Sequence, residues 1–448
     1  MRIETIKPLG CIVVRSIMYA ISLAVYYFIN LYILKYNVAP IYSYMGFVLK
    51  SAEDNSVVIS LIWILLLSIF LSMHNNRVKL FYLNTIIIVI LIPMLCVYSI
   101  IVNYNNEYIY MFMCIICFII TSFVALLVLD RPYISTSKKS YCKLYIPIMI
   151  CLIFIVILRY VVVNGLGIFN LNMLLVYKYR AILAHSMNGL FAYYDSLVIK
   201  IIVPLSIIYC LYYKKYYLLI LFCCLQVVLY GLSSQKTVLF ALFVILPLFY
   251  YMPIFTKYIY SYNWLFIAMS CISVLCYKVS GYILIISLYR RVVFLPALIN
   301  FQYYDYFSQH SFDYFRQSFL RHFLTSPYAI TVQKIIARVY YSFEATEESS
   351  ANTGFLGSGY MQGGFVVIML YAVIIGFLIA IISDLSKQSP RIAISLLALP
   401  MYSLFSSSDL PTSLLTGGIG LCILLLFIIS KDPKFACNNS YNMLKRSI

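Results

Sequence analysis

The sequence predicts an all-α integral membrane protein of about twelve transmembrane helices. Three observations carry that prediction. The 448-residue chain is 64% hydrophobic and 10% charged, with a mean hydropathy of +0.96, far from the balance of a soluble domain. Its apolar residues come in runs near the ~20 that a helix needs to cross ~30 Å of hydrocarbon. The runs are continuous rather than alternating, which favours helices over a barrel.

In chain order the spans read as 12–34, 57–73, 80–102, 109–128, 144–163, 196–213, 217–233, 237–254, 263–281, 364–384, 391–408 and 414–430. The seventh and eighth are separated by little more than Ser233, Ser234, Gln235 and Lys236. No Ala-x-Ala site follows the first run, which therefore reads as a retained signal-anchor. Orientation follows from lysine and arginine in short loops. With the N-terminus inside, 17 cations fall in inner segments and 5 (Lys35, Lys50, Lys178, Arg180, Lys236) in short outer loops. Both termini are then cytoplasmic.

The net charge of +18 is scattered through loops between spans, so it sets topology and meets lipid headgroups; nucleic-acid binding is set aside. The thirteen cysteines lie mostly inside spans. Cys114 and Cys117 form a C-x-x-C with no second pair or histidine cluster, and read as small buried hydrophobes.

The chain reads as one polytopic domain, 1–448, with two large outer loops, about 164–195 and 282–363. The second mixes aromatics and cations at helical spacing: Phe312, Phe315, Phe319 and Phe323 fall on one face, which predicts short amphipathic helices at the membrane surface. Seven cations are expected towards the outer side: Arg159, Lys200 and Lys278 near span ends, with Arg180, Lys236, Arg290 and Arg291. Singly, each reads as a snorkelling side chain. Together, with few acids nearby, they suit a phosphate-bearing lipid. Tyr303, Tyr304, Asp305, Tyr306 and His310 read either as an interfacial aromatic belt or as groups that stack on sugars, with a carboxylate or imidazole as general base. His74 reads as a solvated loop residue, and His185 and His322 as isolated residues of the outer loops.

The segment "RRVVFLPALINFQYYDYFSQHSFDYFRQSFL", followed by "ANTGFLGSGYMQGGFVVI", resembles the Wzy-type O-antigen polymerases, which polymerise oligosaccharide repeat units. Arg291, Phe294, Pro296, Ala297, Tyr303, Tyr304, Asp305 and Phe307 fall on the family's arginine, "F-x-P-A" and "Y-Y-D-F-F" elements. Asn352, Gly354, Tyr360 and Gly364 fit its "A-N-x-G" and "G-Y-x-x-x-G". Two departures stand out. The seventh–eighth turn, "GLSSQK", offers Lys236 where relatives show Ser-Arg, and Arg180 has a glycine nine residues on and none at eleven.

The resemblance implies a GT-C-like fold and a glycosyltransferase in the bacterial inner membrane. Its donor and acceptor would be undecaprenyl-pyrophosphate-linked glycans, with a chain-length regulator as a further partner. It implies no cofactor and no metal. Arg180, Lys236, Arg290 and Arg291 would hold the pyrophosphate, Asp305 or His310 would act as base, and Tyr303, Tyr304, Asn352 and Tyr360 would support the loop. An O-antigen ligase and a lipid-linked oligosaccharide flippase are the alternatives. The long outer loop and the absence of a visible repeat favour the enzyme over the flippase.

Overall fold

The long apolar runs fold as helices, and no strand occurs among the described residues. The computed structural model describes residues 9–50, 55–101, 104, 106–128, 142–165, 167, 169–172, 175–176, 179, 182–183, 190–257, 259–281, 283–318, 320, 323–341, 349–387 and 389–431. In order these form α1 (9–45), α2 (Ser56–Ser72), α3 (Arg77–Ile100), α4 (Glu107–Leu127), α5 (Cys142–Asn164), α6 (190–212), α7 (Tyr216–Ser233) and α8 (Lys236–Lys257). There follow α9 (Ile259–Ser280), α10 (283–309), α11 (Val332–Tyr340), α12 (Phe355–Leu385), α13 (Pro390–Ser406), α14 (Leu410–Leu415) and α15 (Ile419–Lys431). Among the described residues ten helices are long and apolar enough to cross a membrane, so this is a multi-pass membrane protein. The other two expected spans correspond to α2 and α13, of 17 residues each.

Among the described residues four of the helices widen for one turn, and each of these widenings has the same local cause. Ala39, Ile92, Val203 and Leu295 donate their N–H to the carbonyl five residues back, and each is followed by a proline: Pro40, Pro93, Pro204 and Pro296. Proline lacks an N–H and its ring collides with the carbonyl four residues earlier. A wide turn just before it moves that carbonyl aside without breaking the helix. The widening in α10 contains Arg290 and Arg291.

The region 282–363 departs from its expected form in two ways. Its first third, 283–309, is continuous helix, so the Tyr-Tyr-Asp stretch lies on α10. The expected amphipathic helix through Phe312, Phe315 and Phe323 does not form, and Phe319 and His322 lie outside the described residues. Residues 311–318 turn instead, with Tyr314 and Phe315 at φ 49° and 62°. The cause is Asp313, fully buried, whose carboxylate accepts from the Gln317 N–H (2.9 Å) and the Ser326 hydroxyl (3.0 Å). Local side-chain bonds to the backbone outcompete the helical period here. Among the described residues the amphipathic helix of the region is α11, which buries Val332, Ile336 and Ala337.

The chain divides into two compact units, each discontinuous in sequence. The first comprises 1–130, 254–381 and 402–411, the second 131–253, 382–401 and 412–448. In the first, the apolar run of α3 is buried on every side, as a helix hydrophobic all round is when it lies inside a protein. A buried hydrogen-bond chain crosses it, from Asn84 to Asn263 (2.7 Å) and from Asn263 to Ser22 (2.8 Å). In the second, the Phe169 ring fills the place a side chain would take at Gly231, and the Asn170 N–H bonds the Gly231 carbonyl at 2.9 Å.

His74, expected in solvent, is 1% exposed and shares a 2.8 Å hydrogen bond between Nε2 and the Ser122 hydroxyl. Burial, and then the charge of Lys79, lower its pKa to about 4. Because the folded pKa lies below the unfolded one, His74 favours folding fully above about pH 6.5. That contribution, at most about 3 kcal/mol, disappears as the pH falls towards 4. The melting temperature in detergent will therefore drop between pH 7 and 5, and His74→Gln will flatten the drop. Equal slopes for the two proteins would remove His74 from the account.

Candidate functional site

Helix α10 carries most of the residues singled out by the sequence, at two levels. At its wide turn Arg290 is 7% exposed. Its guanidinium lies over the Tyr42 ring, 4.0 Å from the centroid, and Nη1 donates to the Met45 sulfur at 2.6 Å. Its Nε–H is buried without a partner. Among the described residues the charged or titratable groups that act on it are Tyr42, Tyr44, Arg291 and Tyr341, none of them a carboxylate; Glu53, Asp54, Glu344, Glu347 and Glu348 lie outside the described residues. Burial lowers its pKa, but arginine titrates so far above neutrality that it stays charged. The guanidinium thus keeps hydrogen-bonding capacity at Nε that no described neighbour uses. Arg291, beside it, is exposed.

At the other end of α10 the aromatic motif is mostly internal. Tyr303 is buried and donates to the Ala351 carbonyl at 2.9 Å. Tyr304, also buried, stacks on Tyr110 at 4.7 Å and meets Tyr360 at 5.1 Å. Tyr360 in turn meets Phe312 and Phe365 edge to face. These rings hold helices together and offer little free face to a sugar. Asp305 is half-buried and accepts from the Tyr340 hydroxyl at 2.5 Å. Burial first, and then Asp305, push the Tyr340 and Tyr104 phenols above their ordinary range, so both remain protonated donors. His310 is exposed just past the helix end, its ring stacked on Tyr306 at 4.0 Å and Nδ1 at 2.8 Å from the Tyr306 carbonyl.

The "ANTG" motif is a joint. Asn300 Oδ1 accepts from the Gly357 N–H (2.7 Å) and the Thr353 hydroxyl (3.2 Å), capping the start of α12. The Gly354 position abuts the Phe405 carbonyl, leaving no room for a side chain. Of the four motif residues only Asn352 is exposed, its Oδ1 accepting from Ser350 at 3.1 Å. Helix α12 breaks at Gly363 and Gly364, the latter at φ 66°, ψ −150°, a conformation open only to glycine. That break puts the start of the following span where the sequence expected it.

Arg290 and Asp305 are fifteen residues apart on one helix, about 22 Å of rise. Met45 narrows the gap, since Gln302 donates to its carbonyl (3.3 Å) while Arg290 donates to its sulfur. Gln302 Oε1 is buried without a partner. The seam thus runs from Arg290 through Met45 and Gln302 towards Tyr104 and Asp305. Lys236 begins α8 in the second unit, and Arg180 and His185 lie outside the described residues. Residues that sequence reasoning missed are Tyr42, Met45 and Tyr341 around Arg290, Tyr340 and Tyr104 around Asp305, and Asn300. Asn300 alone left a trace, a polar amide in an apolar helical turn.

No protein-family model matches the chain, and no curated protein or solved structure matches it either.

Proposed function

We propose that the protein is a membrane glycosyltransferase of the repeat-unit polymerase type, with a GT-C-like fold. It would act at the outer face of a bacterial inner membrane, with both termini cytoplasmic and undecaprenyl-pyrophosphate-linked glycans as donor and acceptor. The observation that carries this reading is Arg290, a buried guanidinium on which no carboxylate among the described residues acts, beside the exposed Arg291. An anion bearing several oxygens, such as a lipid pyrophosphate, fits that need.

In the reaction a base takes the acceptor hydroxyl proton and the oxygen attacks the anomeric carbon. The bond from that carbon to the phosphate oxygen breaks, and the electron pair leaves on the pyrophosphate. The arginines stabilise that leaving charge, a contribution that grows in the transition state. Asp305 or His310 supplies the base. Arg180 and Lys236 are kept as further pyrophosphate ligands, and Asn352 as an exposed supporting group.

Arg291→Ala tests the reading. Polymer ladders on a lipopolysaccharide gel will collapse to core plus one repeat at an unchanged level of membrane protein. Loss of a charge-assisted contact is worth about 1.5–3 kcal/mol, or roughly 10- to 150-fold in rate. Arg291→Lys will recover part of it, since lysine lacks the bidentate fork. Bare core in a deletion strain would favour the ligase. Full ladders from the alanine variant would demote Arg291 to an interfacial anchor.

A further inference from the structure

The second unit contains a charged pair whose hydrogen-bonding groups do not close on each other. Asp195, on α6, is 4% exposed, and neither carboxylate oxygen has a hydrogen-bond partner. Arg159, on α5, acts electrostatically on Asp195 and on Tyr160. Its guanidinium does not close on the carboxylate. It rests on the Phe191 ring, 3.9 Å from the centroid, and its Nε–H is buried and unpartnered. Phe191 and Asp195 are four residues apart, so one face of α6 carries both. Phe191 itself is 47% exposed.

Depth narrows the choice of ligand. Arg159 is five residues before the end of α5 and Asp195 five residues after the start of α6, about 7 Å in from each helix end. A headgroup can reach that level. A buried carboxylate without donors is costly, and so is a guanidinium hydrogen without an acceptor. A ligand that satisfies both must donate to Asp195 and accept from Arg159. A phosphate would be repelled by the first, an ammonium by the second. The two charges cancel formally, so a neutral group suits the pair. Hydroxyls both donate and accept, and two adjacent hydroxyls match the two oxygens of one carboxylate. The exposed part of the Phe191 ring can take the apolar face of the same molecule.

We propose that Asp195, Arg159 and Phe191 form a binding site for a sugar ring, held through a vicinal diol. The site stands on its own geometry and does not use Arg290.

The full-length protein in lipid nanodiscs is irradiated with an octyl glucoside carrying a diazirine on the sugar, and adducts are mapped by mass spectrometry. Adducts are expected on residues 159–164 and 190–195. Excess octyl glucoside should reduce them about tenfold, and octanol should not. Competition by methyl glucoside as well would identify a free sugar as sufficient, whereas competition by the octyl compound alone would make a lipid-linked sugar the ligand. Asp195→Asn and Arg159→Gln should each lose the competable labelling while remaining monodisperse. Adducts absent from these segments, equally displaced by octanol, or unchanged in both variants would overturn the site. Because wild-type competition is read directly, a variant that fails to fold does not blunt the test. Polymer formation is not measured, so failure here leaves the polymerase reading untouched.

Discussion

Gly354→Ala will leave little folded protein. A Cβ built at that position would lie 2.1 Å from the Phe405 carbonyl oxygen and 2.5 Å from its carbon, and both obstacles are backbone. No rotamer change relieves a clash with a main chain, so α12 would have to part from α13. That movement would strain the cap that Asn300 places on the Gly357 N–H at 2.7 Å. Overpacking of this kind costs about 3 kcal/mol or more, a large share of the 5–15 kcal/mol that holds a typical protein folded. Gly10→Ala is the contrast: an added Cβ there meets nothing within 4 Å inside a helix. Removing glycine's backbone freedom at such a place stabilises by about 0.5–1 kcal/mol. Size-exclusion profiles and thermal melts in detergent will separate the two substitutions. A Gly354→Ala protein that melts like wild type would mean that the joint is loose and that the motif glycine has some other purpose.

The contrast between the two glycines also marks what could be read in the sequence. Helix number and position depend on a one-dimensional rule, apolar length, and each expected span falls on a helix, though the ends of α1 and α12 lie about ten residues beyond the expected bounds. The wide turn at Arg290–Phe294 is just as local, because Pro296 dictates it. Where several rules competed, the periodicity misled. Phe312, Phe315 and Phe323 keep a helical spacing, yet one buried aspartate, Asp313, turns the chain between them. Arg290 was conspicuous as a charge in an apolar protein. Its surroundings were not, since Tyr42 and Met45 lie about 245 residues earlier and no local pattern links them to it. Composition likewise suggested sugar-stacking tyrosines, whereas Tyr303 and Tyr304 close the core with Tyr110 and Tyr360. A ring's burial depends on partners that only folding brings together.

Asp305→Asn will lower polymerisation by about 10²-fold or more, the usual scale for loss of a general base. The substitution preserves shape and still offers Tyr340 an oxygen to donate to, so the fold around α10 should hold. What disappears is the capacity to take a proton. The geometry also separates two ways in which this acid could matter. If Asp305 acted by orienting Arg290 or Arg291 through an ion pair, donor affinity would fall together with rate. The backbones of those arginines are about 22 and 21 Å away along the helix, and the Asp305 carboxylate is bonded to Tyr340. Donor binding should therefore stay near the wild-type value while turnover drops. Tyr340→Phe refines the point, because it removes the donor and leaves the carboxylate. Its turnover should fall far less than that of Asp305→Asn. If the asparagine variant yields wild-type ladders, the proton goes elsewhere. His310→Gln then becomes the deciding variant, since His310 is exposed five residues on, and activity in that variant too would leave the pyrophosphate itself as the acceptor.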